Sequence, residues 1–169
     1  MEPLTIRPGT RADIAPLDAL LASSYPRLLA PDYPPSVLVT AIPRISKAQP
    51  KLVTCGTYFV AYRGQALVGA GGWTRVVPGR SGGAERDLGH IRHFATDSTA
   101  TRQGIARAVM AQVLRSARAE GIAVLECWST RTAVSFYEAM GFATVENVDV
   151  PLDAGITFPA VRMIQRLGP

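Results

Sequence analysis

The stretch Phe94-Ala-Thr-Asp-Ser-Thr-Ala-Thr-Arg-Gln-Gly-Ile-Ala-Arg-Ala-Val-Met110 reads as the end of a strand, a polar loop of small residues and the start of a helix. The strand is expected over Leu88 to Thr96, and the helix over Gly104 to Glu120 with Gly121 ending it. The first turn of such a helix has N–H groups without partners and a partial positive charge. Gly104 and Ala106 put almost no side chain in front of those donors, so an anion can approach the backbone closely. Arg102 and Arg107 flank the turn, and from Ser98 to Ala119 there are four Arg and no acidic residue. Short glycine motifs of this kind also serve plain packing. Neither G-x-x-x-x-G-K-[ST] nor a helix-opening G-x-G-x-x-G is present, which excludes two familiar phosphate motifs.

Working outward, Leu4 to Arg7 alternates as a first strand. A helix capped by Thr10 or Asp13 runs to about Ser24, and a second covers Ser36 to about Ile45. Tyr58 to Tyr62 and Ala66 to Thr74 form a hairpin around Arg63-Gly64-Gln65. Gly69, Gly71 and Gly72 weaken the returning strand unless a bulge or close approach needs them. Pro78 to Gly83 reads as a loop. Beyond the long helix come a strand from Ala123 to Trp128, a short helix from Thr132 to Met140, and strands from Ala143 to Asp149 and Val161 to Gln165. The order β-α-α-β-β-β-α-β-α-β-β predicts a mixed α/β (α+β) sheet with a parallel pair around the long helix.

The chain has 169 residues, enough for one domain (1–169) with its own core. Hydrophobic residues at 47% and charged residues at 18% exclude disorder, and no apolar run is long enough to span a bilayer. Without a basic-then-apolar start, and with only Cys55 and Cys127, the expected setting is a reducing, cytoplasmic one with no membrane association and no metal set. The net charge is +5, with nine basic and four acidic groups in residues 1–84 and nine of each in 85–169. No basic run or aromatic-interleaved stripe accompanies the excess, so nucleic acid is not the expected partner.

A second segment, Ala133-Val-Ser-Phe136-Tyr137-Glu-Ala-Met-Gly141-Phe142, follows the loop Thr101-Arg102-Gln103-Gly104-Ile105-Ala106 at about 30 residues. Together they resemble the GNAT superfamily of N-acetyltransferases, whose motifs are [QR]-x-x-G-x-[GA] and A-x-x-F-Y-x-x-x-G-F. The resemblance extends over nearly the whole chain. It implies one domain with a mostly antiparallel sheet of about seven strands, a splayed central parallel pair ending at Thr96 and Trp128, and about four flanking helices. It also implies acetyl-CoA as co-substrate, with Phe94, Ala95 and Thr96 pairing with the pantetheine arm and Arg102, Gln103, Gly104, Ile105, Ala106 and Arg107 holding the pyrophosphate. Thr101 departs from the motif's Gln or Arg. Thr130 stands where many members carry an Asn that contacts pantetheine.

Tyr137 would then protonate the leaving thiolate, and a phenol near pKa 10 is protonated at pH 7. For the base that takes the amine's proton, the candidates are His90 and His93, whose alternation predicts opposite sheet faces. Glu85, Asp87 and Glu126 are the carboxylate alternatives, and ordered water is another. The acceptor pocket would draw on Tyr25, Tyr33, Trp73 and Arg75, each of which also suits a core or surface role. The expected function is transfer of an acetyl group to a primary amine (small amine, amino acid or protein) by direct attack, in a possible homodimer. The rivals are a non-catalytic acyl-CoA-binding module and a basic nucleic-acid binder.

Overall fold

The structure is a computed structural model that describes residues 1–76 and 85–168. The loop expected at Pro78 to Gly83 lies outside the described residues. The elements are β1 (Leu4–Pro8), α1 (Ile14–Leu29), α2 (Pro35–Ile45), α3 (Pro50–Val53), β2 (Tyr58–Arg63), β3 (Ala66–Thr74), β4 (Leu88–Thr96), α4 (Ile105–Ala119), β5 (Val124–Ser129), α5 (Val134–Ala139), β6 (Ala143–Pro151) and β7 (Thr157–Arg166). One seven-stranded sheet has the order β1-β2-β3-β4-β5-β7-β6. Its neighbours are antiparallel except β4 and β5, which run parallel. The mixed fold and its parallel pair are as the sequence implied, and the fifth helix is the four-residue α3.

Period-two alternation sends side chains to two cores. Phe59 and Ala61 of β2 and Leu125 and Cys127 of β5 join Val109, Met110 and Val113 of α4 and Tyr137 of α5. Tyr58 and Val60 face the other way, against Leu17, Leu20 and Leu21 of α1 and Leu52 and Val53 of α3. A third cluster packs α2 and the end of α1 against β6 and β7 through Leu29, Tyr33, Ala41, Phe158 and Ala160. Helices α1 to α3 thus cover one sheet face, and α4 and α5 the other.

Two sequence boundaries move for identifiable reasons. Helix α1 passes through Pro26 and ends at Leu29. An internal proline costs about 3 kcal/mol, here offset by burial of Leu29 and Tyr33 in the third cluster. Strand β7 begins at Thr157, four residues before Val161, because Phe158 and Ala160 are buried there.

The glycines of β3 make room for close approaches. A Cβ on Gly69 would lie 2.6 Å from Ile105 Cγ2, and one on Gly71 would lie 2.5 Å from the Phe94 ring. Opposite Gly71, β4 carries two residues, His93 and Phe94, because the register jumps from Gly72↔Arg92 to Ala70↔Ala95. His93 has φ +52, the left-handed value that such a bulge imposes. The bulge reverses the alternation: Ile91 lies in the α4 core while Ala95 lies in the α1 core. The expectation that His90 and His93 face opposite sides is therefore corrected, since both lie on the α1–α2 face.

Candidate active site

Strands β4 and β5 pair only at Leu88↔Val124, Gly89↔Leu125 and His90↔Glu126, although β4 continues to Thr96 and β5 to Ser129. Beyond His90 and Glu126 the two strands part. Each then presents one backbone edge with no ladder partner among the described residues. Such an edge accepts an extended polar chain laid between the strands. Phe94, Ala95 and Thr96 lie on the β4 side of this opening.

At the open end stands the N-terminus of α4. Ala108 N–H is bonded to the Gly104 carbonyl at 3.0 Å, but the amides of Ile105, Ala106 and Arg107 precede any acceptor in the helix. Gly104 has φ +79 and Arg102 φ +61, so the loop turns through two left-handed residues before the helix begins. A Cβ on Gly104 would meet nothing within 4 Å, so the glycine is required by its backbone angle and not by crowding. Arg102, Gln103 and Arg107 are exposed beside this turn. Arg63 of β2 donates to the Gln103 side chain, bringing to the loop a further guanidinium that sequence reading did not single out. Free amides, an open approach and several cations fit the phosphates of CoA.

On the α4–α5 face of the sheet, Tyr137 of α5 is 5% exposed and packs against Phe94 of β4. Its ring packs edge-on against Phe94, Phe136 and Phe142, with centroids 5.3 to 6.2 Å apart. Burial raises its phenol well above 10, with Cys127 and Tyr25 adding in the same direction. Tyr25 donates to the Phe94 carbonyl at 3.2 Å and Tyr58 to the His93 carbonyl at 2.8 Å, so two phenols hold the bulge. Tyr58 was missed in the sequence, where it looked like any strand aromatic.

On the α1–α2 face, His93 Nε2 lies 2.7 Å from the Ile45 carbonyl oxygen. A carbonyl only accepts, so Nε2 carries the proton and Nδ1 a lone pair. Nδ1 is buried with no partner among the described residues. Burial is the main cause that keeps His93 below its ordinary 6.5. His90 is also lowered chiefly by burial, against the opposing pull of Glu126, whose Oε1 is 3.5 Å from Nδ1. Arg162 Nε donates to the other Glu126 oxygen at 2.8 Å. Of the carboxylate alternatives only Glu126 sits at the apex of the opening; Glu85 and Asp87 are exposed before β4.

The remaining predicted residues separate. Trp73 is 1% exposed beneath α4 and donates to Ser116 at 3.0 Å. Arg75 closes the far end of α4, donating to the Glu120 carbonyl at 2.7 Å. Neither reaches the opening. Tyr33 is 4% exposed, and its hydroxyl is used twice, donating to Pro159 at 2.7 Å and accepting from the Arg131 amide at 2.8 Å. It braces the α1–α2 connection against β7. Thr130 and Thr101 lie at the two rims, Thr130 half-buried before α5 and Thr101 exposed. Among the described residues no cluster of His, Cys, Asp or Glu is disposed to hold a metal ion, and no helix is long and apolar enough to cross a membrane.

An open parallel pair with a helix N-terminus at its mouth defines the architecture of the CoA-using N-acetyltransferases. The family model for the acetyltransferase (GNAT) domain matches residues 36–164, and the chain belongs to that family. Among solved structures it is similar to the PaiA N-acetyltransferase of Thermoplasma acidophilum in complex with coenzyme A, at 13% identity and TM-score 0.74, over 97% of this chain and 99% of that one. It is similar to a GCN5-related N-acetyltransferase of Rhodopseudomonas palustris at 18% identity and TM-score 0.76, over 98% and 97%. A GNAT-family acetyltransferase of Staphylococcus aureus aligns at 14% identity and TM-score 0.66, over 98% and 99%. These similarities concern the fold. No curated protein sequence matches the chain significantly.

Proposed function

We propose that the protein transfers an acetyl group from acetyl-CoA to a primary amine by direct attack, without a covalent enzyme intermediate. The observation that carries this reading is the gap between β4 and β5, which has free helix amides at its mouth and a buried phenol packed against Phe94 on its β4 side. The amides of residues 102–107 bind the pyrophosphate, and the β4 edge at Phe94, Ala95 and Thr96 holds the pantetheine arm, with Thr130 opposite. Acetyl-CoA supplies an activated acyl carbon. The amine nitrogen forms the new C–N bond as the C–S bond breaks, and Tyr137 gives its proton to the departing sulfur. The amine's proton passes to a β4 histidine: His93 through the Nδ1 lone pair, or His90 backed by Glu126. Tyr25 and Tyr58 keep the bulge in place.

Release of free CoA thiol over a panel of amines, with wild type and Tyr137→Phe, tests the reading. Amine-dependent release that falls in the variant supports it. Binding of acetyl-CoA with no release for any amine leaves the non-catalytic acyl-CoA-binding module. The observation behind that second reading is that the CoA-side features would serve binding alone.

A further inference from the structure

The α1–α2 face of the sheet carries a row of polar side chains: Arg92 and His90 on β4, Glu126 on β5, Arg162 on β7 and Glu146 on β6. Most of this row is internally matched. Arg162 pairs with Glu126 at 2.8 Å and reaches Glu146 at 3.8 Å, and His90 lies against Glu126.

Arg92 differs. It is half-buried, and burial is the main cause that lowers its guanidinium from its ordinary value. Its side-chain partners are neutral: it donates to Thr74 Oγ1 at 3.0 Å and to Gln49 Oε1 at 3.2 Å. No carboxylate lies within ion-pair distance among the described residues, whose ion pairs otherwise engage Arg7, Arg44, Arg75 and Arg162. Residues 77–84, Val-Pro-Gly-Arg-Ser-Gly-Gly-Ala, contain no acidic side chain that could supply one. A half-buried cation without a counter-charge carries a partial desolvation cost, and an anionic ligand would relieve it. Arg92 directly precedes the bulge and shares its face with both candidate bases. Its charge acts on both, helping to lower His90 and His93. An anion paired with Arg92 would therefore belong to the molecule whose amine is being deprotonated.

We infer that the acceptor amine carries a carboxylate, and that Arg92 is the specificity residue that binds it. This rests on the acyltransferase reading. A guanidinium offers a carboxylate two parallel hydrogen bonds in place of those now spent on neutral oxygens. The acceptor class is then amino acids and related amino carboxylates, in preference to simple amines.

The test uses matched pairs: lysine with cadaverine, phenylalanine with phenethylamine, and 4-aminobutyrate with butylamine. Wild-type protein is expected to favour the carboxylated member of at least one pair by about tenfold or more in kcat/KM. In Arg92→Met that ratio falls toward one, through KM for the carboxylated member, and Arg92→Lys restores part of it. Acetyl-CoA binding by each variant, read from thermal unfolding, shows that the fold is intact. If Arg92→Met fails to fold, the wild-type preference alone decides. Equal use of both members by wild type, or an equal loss for both in Arg92→Met, overturns the inference and leaves the acyltransferase reading standing. No thiol release with any amine overturns both.

Discussion

Tyr137 owes its proposed role to where it is held. Its ring is fixed edge-on by three aromatic neighbours, and burial keeps the phenol protonated throughout the neutral range. Replacing it with Phe keeps the packing and removes only the proton, so kcat should fall by about 10²-fold or more while acetyl-CoA binding persists. Pre-steady-state and steady-state thiol release would show this; an unchanged kcat removes Tyr137 from the mechanism. The histidines give a pH signature. Burial lowers both, so the folded protein leaves them neutral below 6.5, where the unfolded chain takes up protons. Their contribution to stability is therefore complete above about pH 6.5 and is lost as pH falls through their folded pKa values. Asp13 acts in the same sense at lower pH, because Arg7 holds its carboxyl far below 3.8. Urea unfolding between pH 7.5 and pH 4 should show stability declining with acid, and a flat profile would contradict this. In kcat/KM the acid limb should titrate below about 6.5 and be altered in either His90→Ala or His93→Ala. Neither position changing it would exclude a histidine base.

Helix α4 is the element that joins fold to site. Ile105 opens it, 2% exposed, and seats it over Gly69 of β3. Ile105→Ala should cost about 2–5 kcal/mol of stability by leaving a cavity there. Gly104 holds φ +79 just ahead, where a branched side chain is strained. Gly104→Val should cost about 1–2 kcal/mol and weaken acetyl-CoA binding. Calorimetric titration and denaturant unfolding separate the two effects. This element was legible in the sequence because its apolar spacing, bounding glycines and unopposed arginines are all local. The β4 bulge was not. It depends on Gly71 of a neighbouring strand and on phenols from α1 and β2, and so the faces of His90 and His93 could not be read from alternation. The end of α1 was missed because a proline outweighs local pattern until Leu29 finds its cluster. The short α3, Pro50-Lys-Leu-Val53, has too few residues to show a period.

At the scale of the molecule, charge and topology trade places. Four of the nine basic residues of 1–84 are tied into structure: Arg7 to Asp13, Arg44 to Asp153, Arg63 to Gln103, and Arg75 to the end of α4. The half that is neutral by count supplies Arg102 and Arg107 beside the free amides of α4, and Arg63 reaches the same loop from the first half. Trp73 and Arg75 looked equally suited to a pocket in the sequence, yet the sheet turns one beneath α4 and sends the other to its far end. That separation is a property of the assembled sheet and leaves no trace in local pattern. The central claim is that the gap between β4 and β5, with α4 at its mouth, binds acetyl-CoA. Thermal unfolding with and without acetyl-CoA tests it most directly. Ligand at about 100 times its dissociation constant should stabilise the fold by about 2.7 kcal/mol, which for a domain of this size raises Tm by roughly 5–10 °C. No shift at millimolar acetyl-CoA would contradict the account.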